Sequence, residues 1–85
     1  MRLRRTGLTW RRVADEVVVL DVDGSEYFSL NASGALLWES VADADCSGEQ
    51  LASQLQSVYG VGSEQARVDV AAFVGALDQH GLIEH

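Results

Sequence analysis

The side chains able to do covalent chemistry are few and scattered. His80 and His85 are the only histidines and both lie at the C-terminus. Cys46 is the single cysteine and sits in the polar, acidic stretch Asp43-Ala44-Asp45, where neighbouring carboxylates oppose formation of a thiolate nucleophile. Two acid pairs, Asp21/Asp23 and Asp43/Asp45, have the composition of a general acid–base or cation site, but each flanks a turn, where such pairs are common. No Cys-x-x-Cys or His-x-x-x-His spacing offers a metal. Gly60-Val61-Gly62 lacks the Lys-Ser/Thr that completes a phosphate-binding loop. These residues predict a protein without catalytic residues, cofactor or metal.

What remains is recognition, which depends on the elements that shape a surface. The chain of 85 residues is long enough for one domain with a thin core, and 47% apolar residues with no proline argue for order. A lone cysteine excludes an internal disulfide framework and fits a reducing compartment. The arginine-rich start is not followed by an apolar run, and no run approaches the roughly 18 residues of a membrane span. The expected location is cytoplasmic.

Charge is unevenly distributed. Arg2, Arg4, Arg5, Arg11 and Arg12 are five of the six bases, whereas residues from Val13 onward hold 13 acids against Arg67 alone. A basic leading segment on an acidic body suits a partner of mixed charge or forms a solvated tail.

The pattern begins with strands. Leu3 to Val13, with Leu8, Trp10 and Val13, reads as a first strand with a frayed start, and Asp15-Glu16 as a turn. Val17 to Val22 is rich in β-branched residues, and Asp23-Gly24 signals a hairpin whose residues tolerate positive φ. Ser25 to Leu30 returns as a third strand, expected at a sheet edge. Within Tyr27-Phe28-Ser29-Leu30-Asn31-Ala32-Ser33-Gly34-Ala35-Leu36-Leu37-Trp38 the two-residue period gives way to a helical one without a linker. Asn31 is placed to cap a helix running from about Ala32 to Val41, with Ala35, Leu36 and Trp38 apolar. Ser47 and Gln50 have capping-box spacing for a second helix with the stripe Leu51, Leu55, Val58 and Tyr59. Gly60 stops it. Ser63 is the expected cap of a third helix to about His80, closed by Gly81, after which Leu82-Ile83 folds back. The expected architecture is α+β, a three-stranded antiparallel sheet followed by three helices, winged helix-turn-helix-like, in one domain.

The third helix has two distinct faces. Ala66, Val70, Phe73, Val74 and Leu77 make the core stripe. The opposite side carries Val68, Ala72, Gly75 and Ala76 with Gln65, Asp69 and Gln79, where a solvated face more often carries Lys, Glu and Arg. Small side chains permit close approach of another backbone, despite the roughly 1 kcal/mol that Gly75 costs in a helix.

A winged fold invites a nucleic-acid reading. Residues 31–85 carry Arg67 as the only base against eight acids. Such a helical layer repels a polyanion, so nucleic acid is not the expected partner.

The assembled residues resemble the PqqD-like family, the recognition elements that bind leader peptides of ribosomally made natural-product precursors. The resemblance lies in a valine-rich strand ending at Asp21, then Gly24, Tyr27-Phe28-x-Leu30-Asn31-x-Ser33-Gly34-Ala35 and Trp38. Leu51, Leu55, Tyr59, Asp69-Val70, Phe73, Leu77 and Gly81-Leu82-Ile83 follow. It spans about Val17 to Ile83. The Ser-Gly-Ala-x-x-Trp form of the first helix is most similar to the discrete proteins of lasso-peptide clusters. The PqqD of pyrroloquinoline quinone synthesis, a chaperone for a radical SAM enzyme, is the neighbouring possibility.

The resemblance implies a winged-helix-like fold and a leader peptide bound as an added strand on the edge of the third strand, against the third helix. Glu26, Tyr27, Phe28, Ser29 and Leu30 would then supply the ladder. Tyr27, Val68, Ala72, Phe73, Ala76 and Leu77 would line pockets. Asp69 would receive a leader donor or hold Arg67, and Glu26 would meet a basic leader residue. Phe28, Leu30, Leu36 and Trp38 are expected mainly in the core, and Phe73 and Leu77 are candidates for core or contact. The partners implied are the leader and a separate leader peptidase or other maturation enzyme. Self-association through the exposed edge would give a dimer in place of a monomer. The arginine-rich start lies outside the family pattern, as a first strand, a tail or an enzyme contact.

Overall fold

The computed structural model describes all 85 residues, in the order β1 (Arg2–Leu3), β2 (Leu8–Val13), β3 (Glu16–Asp21), β4 (Glu26–Leu30), α1 (Ala32–Asp43), α2 (Gly48–Tyr59), α3 (Ser63–Gln79) and β5 (Ile83–Glu84). Strands β2, β3 and β4 form an antiparallel meander, so β4 is an edge strand and the architecture is α+β as the sequence implied. The start of the chain differs from the single strand expected over Leu3–Val13. It is broken in two, and β1 leaves the meander to pair with β5 in a separate two-stranded sheet. That long-range pair escapes periodicity because each strand holds only two residues.

The hairpins also differ in detail. The β2–β3 turn is Ala14-Asp15, with Ala14 at φ +58°, and Glu16 already belongs to β3. In the β3–β4 turn the positive φ falls on Ser25, at +54°, not on Asp23 or Gly24. Gly24 is needed for proximity instead. A Cβ there would stand 2.8 Å from the Asp21 carboxylate, whose Oδ1 accepts the Gly24 N–H.

Asp21 is the only buried charged residue. Its Oδ1 also receives Arg4 Nη2 at 2.7 Å. The same guanidinium donates to the carbonyls of Thr6, Gly7 and Gly81, tying the start of the chain to the end of β3 and to the turn after α3. The arginine-rich start is therefore partly structural. Arg12 pairs with Glu39 of α1, and Arg2 with Glu84 of β5.

The Arg4 hydrogen bond first, and the Gly24 N–H second, hold the Asp21 carboxyl below its ordinary range against the opposing effect of burial. A carboxyl whose pKa is lower folded than unfolded stabilises the fold above the unfolded value, near 4, and that contribution is lost as pH falls through the folded value. Urea unfolding followed from about pH 6 to about pH 2 is expected to show a steeper acid loss in the wild type than in Asp21→Asn, which cannot titrate there. Equal slopes would show that Asp21 carries none of the acid lability.

The helices begin and end where local chemistry dictates. Asn31 Oδ1 accepts the Gly34 N–H at 3.0 Å. Ser47 and Gln50 complete a reciprocal capping box, and Gly60 ends α2 at φ +68°. Ser63 is not the cap of α3. The cap is Gly62, with no side-chain bond, and Ser63 is the first helical residue.

One cluster of fourteen buried apolar residues joins β3, the three helices and the C-terminal strand. Trp38 is fully buried in it, with Trp10 edge-on at a centroid distance of 6.2 Å. Along α1, Leu37 is buried and Leu36 only half-buried, reversing the emphasis expected from the sequence. On α2 the stripe ends early. Leu51, Ala52 and Leu55 are buried, whereas Val58 and Tyr59 are exposed. On α3, Ala66, Val70 and Leu77 are buried, while Phe73 and Val74 are half-buried at the margins.

Candidate functional site: a groove beside the free edge of the sheet

The β4 edge can be read group by group. Val22 N donates to Gly7 O at 2.8 Å, in register with the pairs Leu8↔Asp21 and Thr9↔Leu20. In an antiparallel ladder, hydrogen-bonded and non-bonded pairs alternate. Residues 16, 18 and 20 of β3 therefore bond to β2, leaving 17, 19 and 21 to bond to β4. Their partners are Leu30, Phe28 and Glu26. The backbone groups of Tyr27 and Ser29 consequently point away from the sheet. Of the five residues expected to supply a ladder, these two present free N–H and C=O groups.

Side chains follow the complementary alternation. Phe28 and Leu30 share the inner face with Val17 and Val19, and both are half-buried against the core. The Phe28 ring also lies 4.6 Å from that of His80. Tyr27 and Ser29 project from the outer face.

Beside this edge lies an open groove of about 540 Å³. Helix α3 packs along α2 and reaches β5 but makes no extended contact along β4, which leaves the space open. The groove is lined by Ser29 and Leu30 from β4, by Asn31, Ser33, Gly34 and Leu37 from the start of α1, by Leu55 of α2, and by Asp69, Ala72, Phe73, Ala76 and Leu77 of α3. Seven of the residues singled out from sequence thus meet at one place.

The others stand apart. Glu26 and Phe28 belong to β4 but do not line the groove, Tyr27 is on the outer face, and Val68 is exposed farther round α3. Arg67 faces a different cavity, of about 660 Å³ between α2 and α3, with Gly48, Ala52, Ser53, Ala71 and Val74 among its walls. It makes no ion pair with Asp69. Asp69 Oδ1 accepts instead from Gln65 Nε2 at 2.9 Å, one helical turn earlier. A helical wheel shows which residues share a stripe. It does not show that residues 67 and 69 fall on opposite sides of the line where α2 docks.

Asn31, Ser33, Gly34, Leu37 and Leu55 were not foreseen in the site. Asn31, Ser33, Gly34 and Leu55 belong to the pattern that carries the family resemblance, and Asn31 was expected as a helix cap, but neither signal placed them in a binding site. Asp69 is the single ionisable side chain in the lining, so the groove is mainly apolar, with the polar residues Ser29, Asn31 and Ser33 on the β4–α1 side and one anionic point on α3.

The potential chemical groups elsewhere have structural partners. Cys46 Sγ donates to the carbonyls of Ser40 and Ala44, and His85 Nε2 contacts both oxygens of Asp78 at 2.9 Å. No three His, Cys, Asp or Glu side chains converge on a point.

Residues 16–83 match the family model described as coenzyme PQQ synthesis protein D (PqqD). Among solved structures, the chain is similar to TbiB1 in complex with the TbiA(beta) leader peptide. The TM-score is 0.88 and the identity 25%, over 99% of this chain and 95% of that one. It is also similar to lasso peptide synthetase B1 complexed with the leader peptide, with a TM-score of 0.81 and 32% identity over 95% and 93% of the respective chains. No curated protein matches the sequence.

Proposed function

The chain belongs to the PqqD family, and we propose that it captures the leader segment of a ribosomally made precursor peptide by strand addition in a lasso-peptide pathway. The observation that carries this reading is the coincidence of free backbone groups at Tyr27 and Ser29 with an adjoining apolar groove along α3. The two similar structures, each complexed with a leader peptide, support it.

In this reading the ladder supplies affinity with little sequence demand, because every peptide residue offers the same N–H and C=O. Selectivity comes from alternate side chains of the leader, which point into the groove against Leu30, Ala72, Phe73, Ala76 and Leu77. Asp69 accepts a hydrogen-bond donor or cation of the leader, favoured by the chain's net charge of −7. The protein does no chemistry itself. It hands the bound precursor to a separate maturation enzyme, a leader peptidase in such a pathway, by raising the local concentration of the tethered substrate.

The test is a titration with a synthetic leader from a precursor encoded beside this gene, followed by amide NMR and hydrogen exchange. The amides of Tyr27 and Ser29 are expected to become protected, since they are the unbonded ones. Those of Phe28 and Leu30, already in the ladder, should change less. Shifts should also appear at Ala72, Phe73 and Ala76. Perturbations confined to the α2–α3 cavity, or none at saturation, would overturn the reading.

A further inference from the structure

The sheet's outer face is uncovered where it meets the free edge. Register sets Thr9, Leu20 and Tyr27 in one cross-strand row. Leu20 is 43% and Tyr27 73% exposed. A sheet with one solvated face ordinarily carries polar residues there. Tyr27 ends this row on β4, and its own backbone groups are the ones left free for another strand.

A residue paired with Tyr27 in an added strand must place its side chain on the same outer face, because successive side chains alternate. It extends the row Thr9–Leu20–Tyr27 by one member and touches Tyr27 at cross-strand distance. We infer that Tyr27 is a specificity-determining residue that reads, from the open side of the sheet, the peptide residue paired with it, and that it favours an aromatic or β-branched side chain. The inference rests on the strand-addition reading. It divides recognition between two surfaces: the groove reads side chains that point inward, and Tyr27 reads one that points out. The next outward residue pairs with Ser29, whose small side chain exerts little selection.

A Tyr27 that merely shields Leu20 would influence stability but not the choice of peptide residue, which gives the test its discrimination. A display library of random dodecapeptides is panned on the wild type, Tyr27→Ser and Ala72→Arg. Peptides enriched on the wild type are expected to be lost on Ala72→Arg. They should also show one position enriched in aromatic and β-branched residues that Tyr27→Ser no longer selects, with the inward positions unchanged. For a single enriched peptide, replacing that residue by serine should weaken binding to the wild type by about two- to five-fold and leave binding to Tyr27→Ser unchanged. Equal weakening toward both proteins, with binding still lost on Ala72→Arg, would overturn the role of Tyr27 alone. If no enriched peptide depends on Ala72, strand addition in the groove fails and the inference fails with it.

Discussion

Trp38→Ala is expected to remove about 3–5 kcal/mol of stability, as large-to-small changes at buried aromatic positions do. For a chain of 85 residues, stability at roughly 0.05–0.15 kcal/mol per residue is about 4–13 kcal/mol, so this one change can leave little folded protein. The cost is large because Trp38 is fully buried in the single apolar cluster and supports Trp10 edge-on, so truncation leaves a cavity and a second unsupported ring. Trp38→Phe is a sharper comparison. The indole Nε1 is buried without a hydrogen-bond partner, and a buried unsatisfied donor costs about 1–3 kcal/mol. Phenylalanine forfeits packing area but also removes that donor, and these effects oppose each other. Urea unfolding followed by circular dichroism should therefore place Trp38→Phe clearly closer to the wild type than Trp38→Ala. A Phe variant as unstable as the Ala variant would show that lost packing, not the unpaired donor, dominates at this position.

The strand-to-helix junction was legible because its signals are local. The alternation of Phe28 and Leu30, the Asn31 cap and the period through Trp38 each depend on residues within one or two turns. The Ser47–Gln50 capping box was legible for the same reason. The β1–β5 pair was not, since two residues at each end of the chain meet through contacts that no window spans. The Arg4–Asp21 pair shows the same limitation. A count of charge found a basic start and an acidic body but not that one arginine of the first is spent on the buried acid of the second. On α3 the sequence set Asp69, Ala72 and Ala76 on the open face and left Phe73 and Leu77 as candidates for core or contact, and the fold brings all five to the groove. Arg67 was included as a partner for Asp69 to hold, yet it falls on the side of α3 that faces α2. The sequence also marked five residues of β4 alike. Only the register, combined with the Val22–Gly7 hydrogen bond, separates the two that are free from the three already bonded.

Ala72→Arg is expected to weaken leader binding by at least about thirty-fold, equivalent to ~2 kcal/mol, while leaving the fold intact. Ala72 is exposed and lines the groove beside the free edge, so an arginine there has solvent to extend into when the groove is empty. Arginine also has nearly the helix propensity of alanine, so α3 should not suffer. With a peptide present, the long side chain occupies space an added strand needs, and binding must displace it. The neighbouring position supplies the control. Ala71 is exposed on the same helix but lines the cavity between α2 and α3. Ala71→Arg introduces the same charge and bulk about 100° round the helix and is expected to leave binding within two-fold. The pair thus separates local obstruction from a general effect of added charge, which would act at both positions and fade with salt. Calorimetric titration at two ionic strengths, with circular dichroism of both variants, checks the outcome. Equal losses in the two variants would mean that charge, not the groove, governs binding. A loss only in Ala71→Arg would move the peptide to the α2–α3 cavity. An unfolded Ala72→Arg would contradict the open face of α3 on which the site is built.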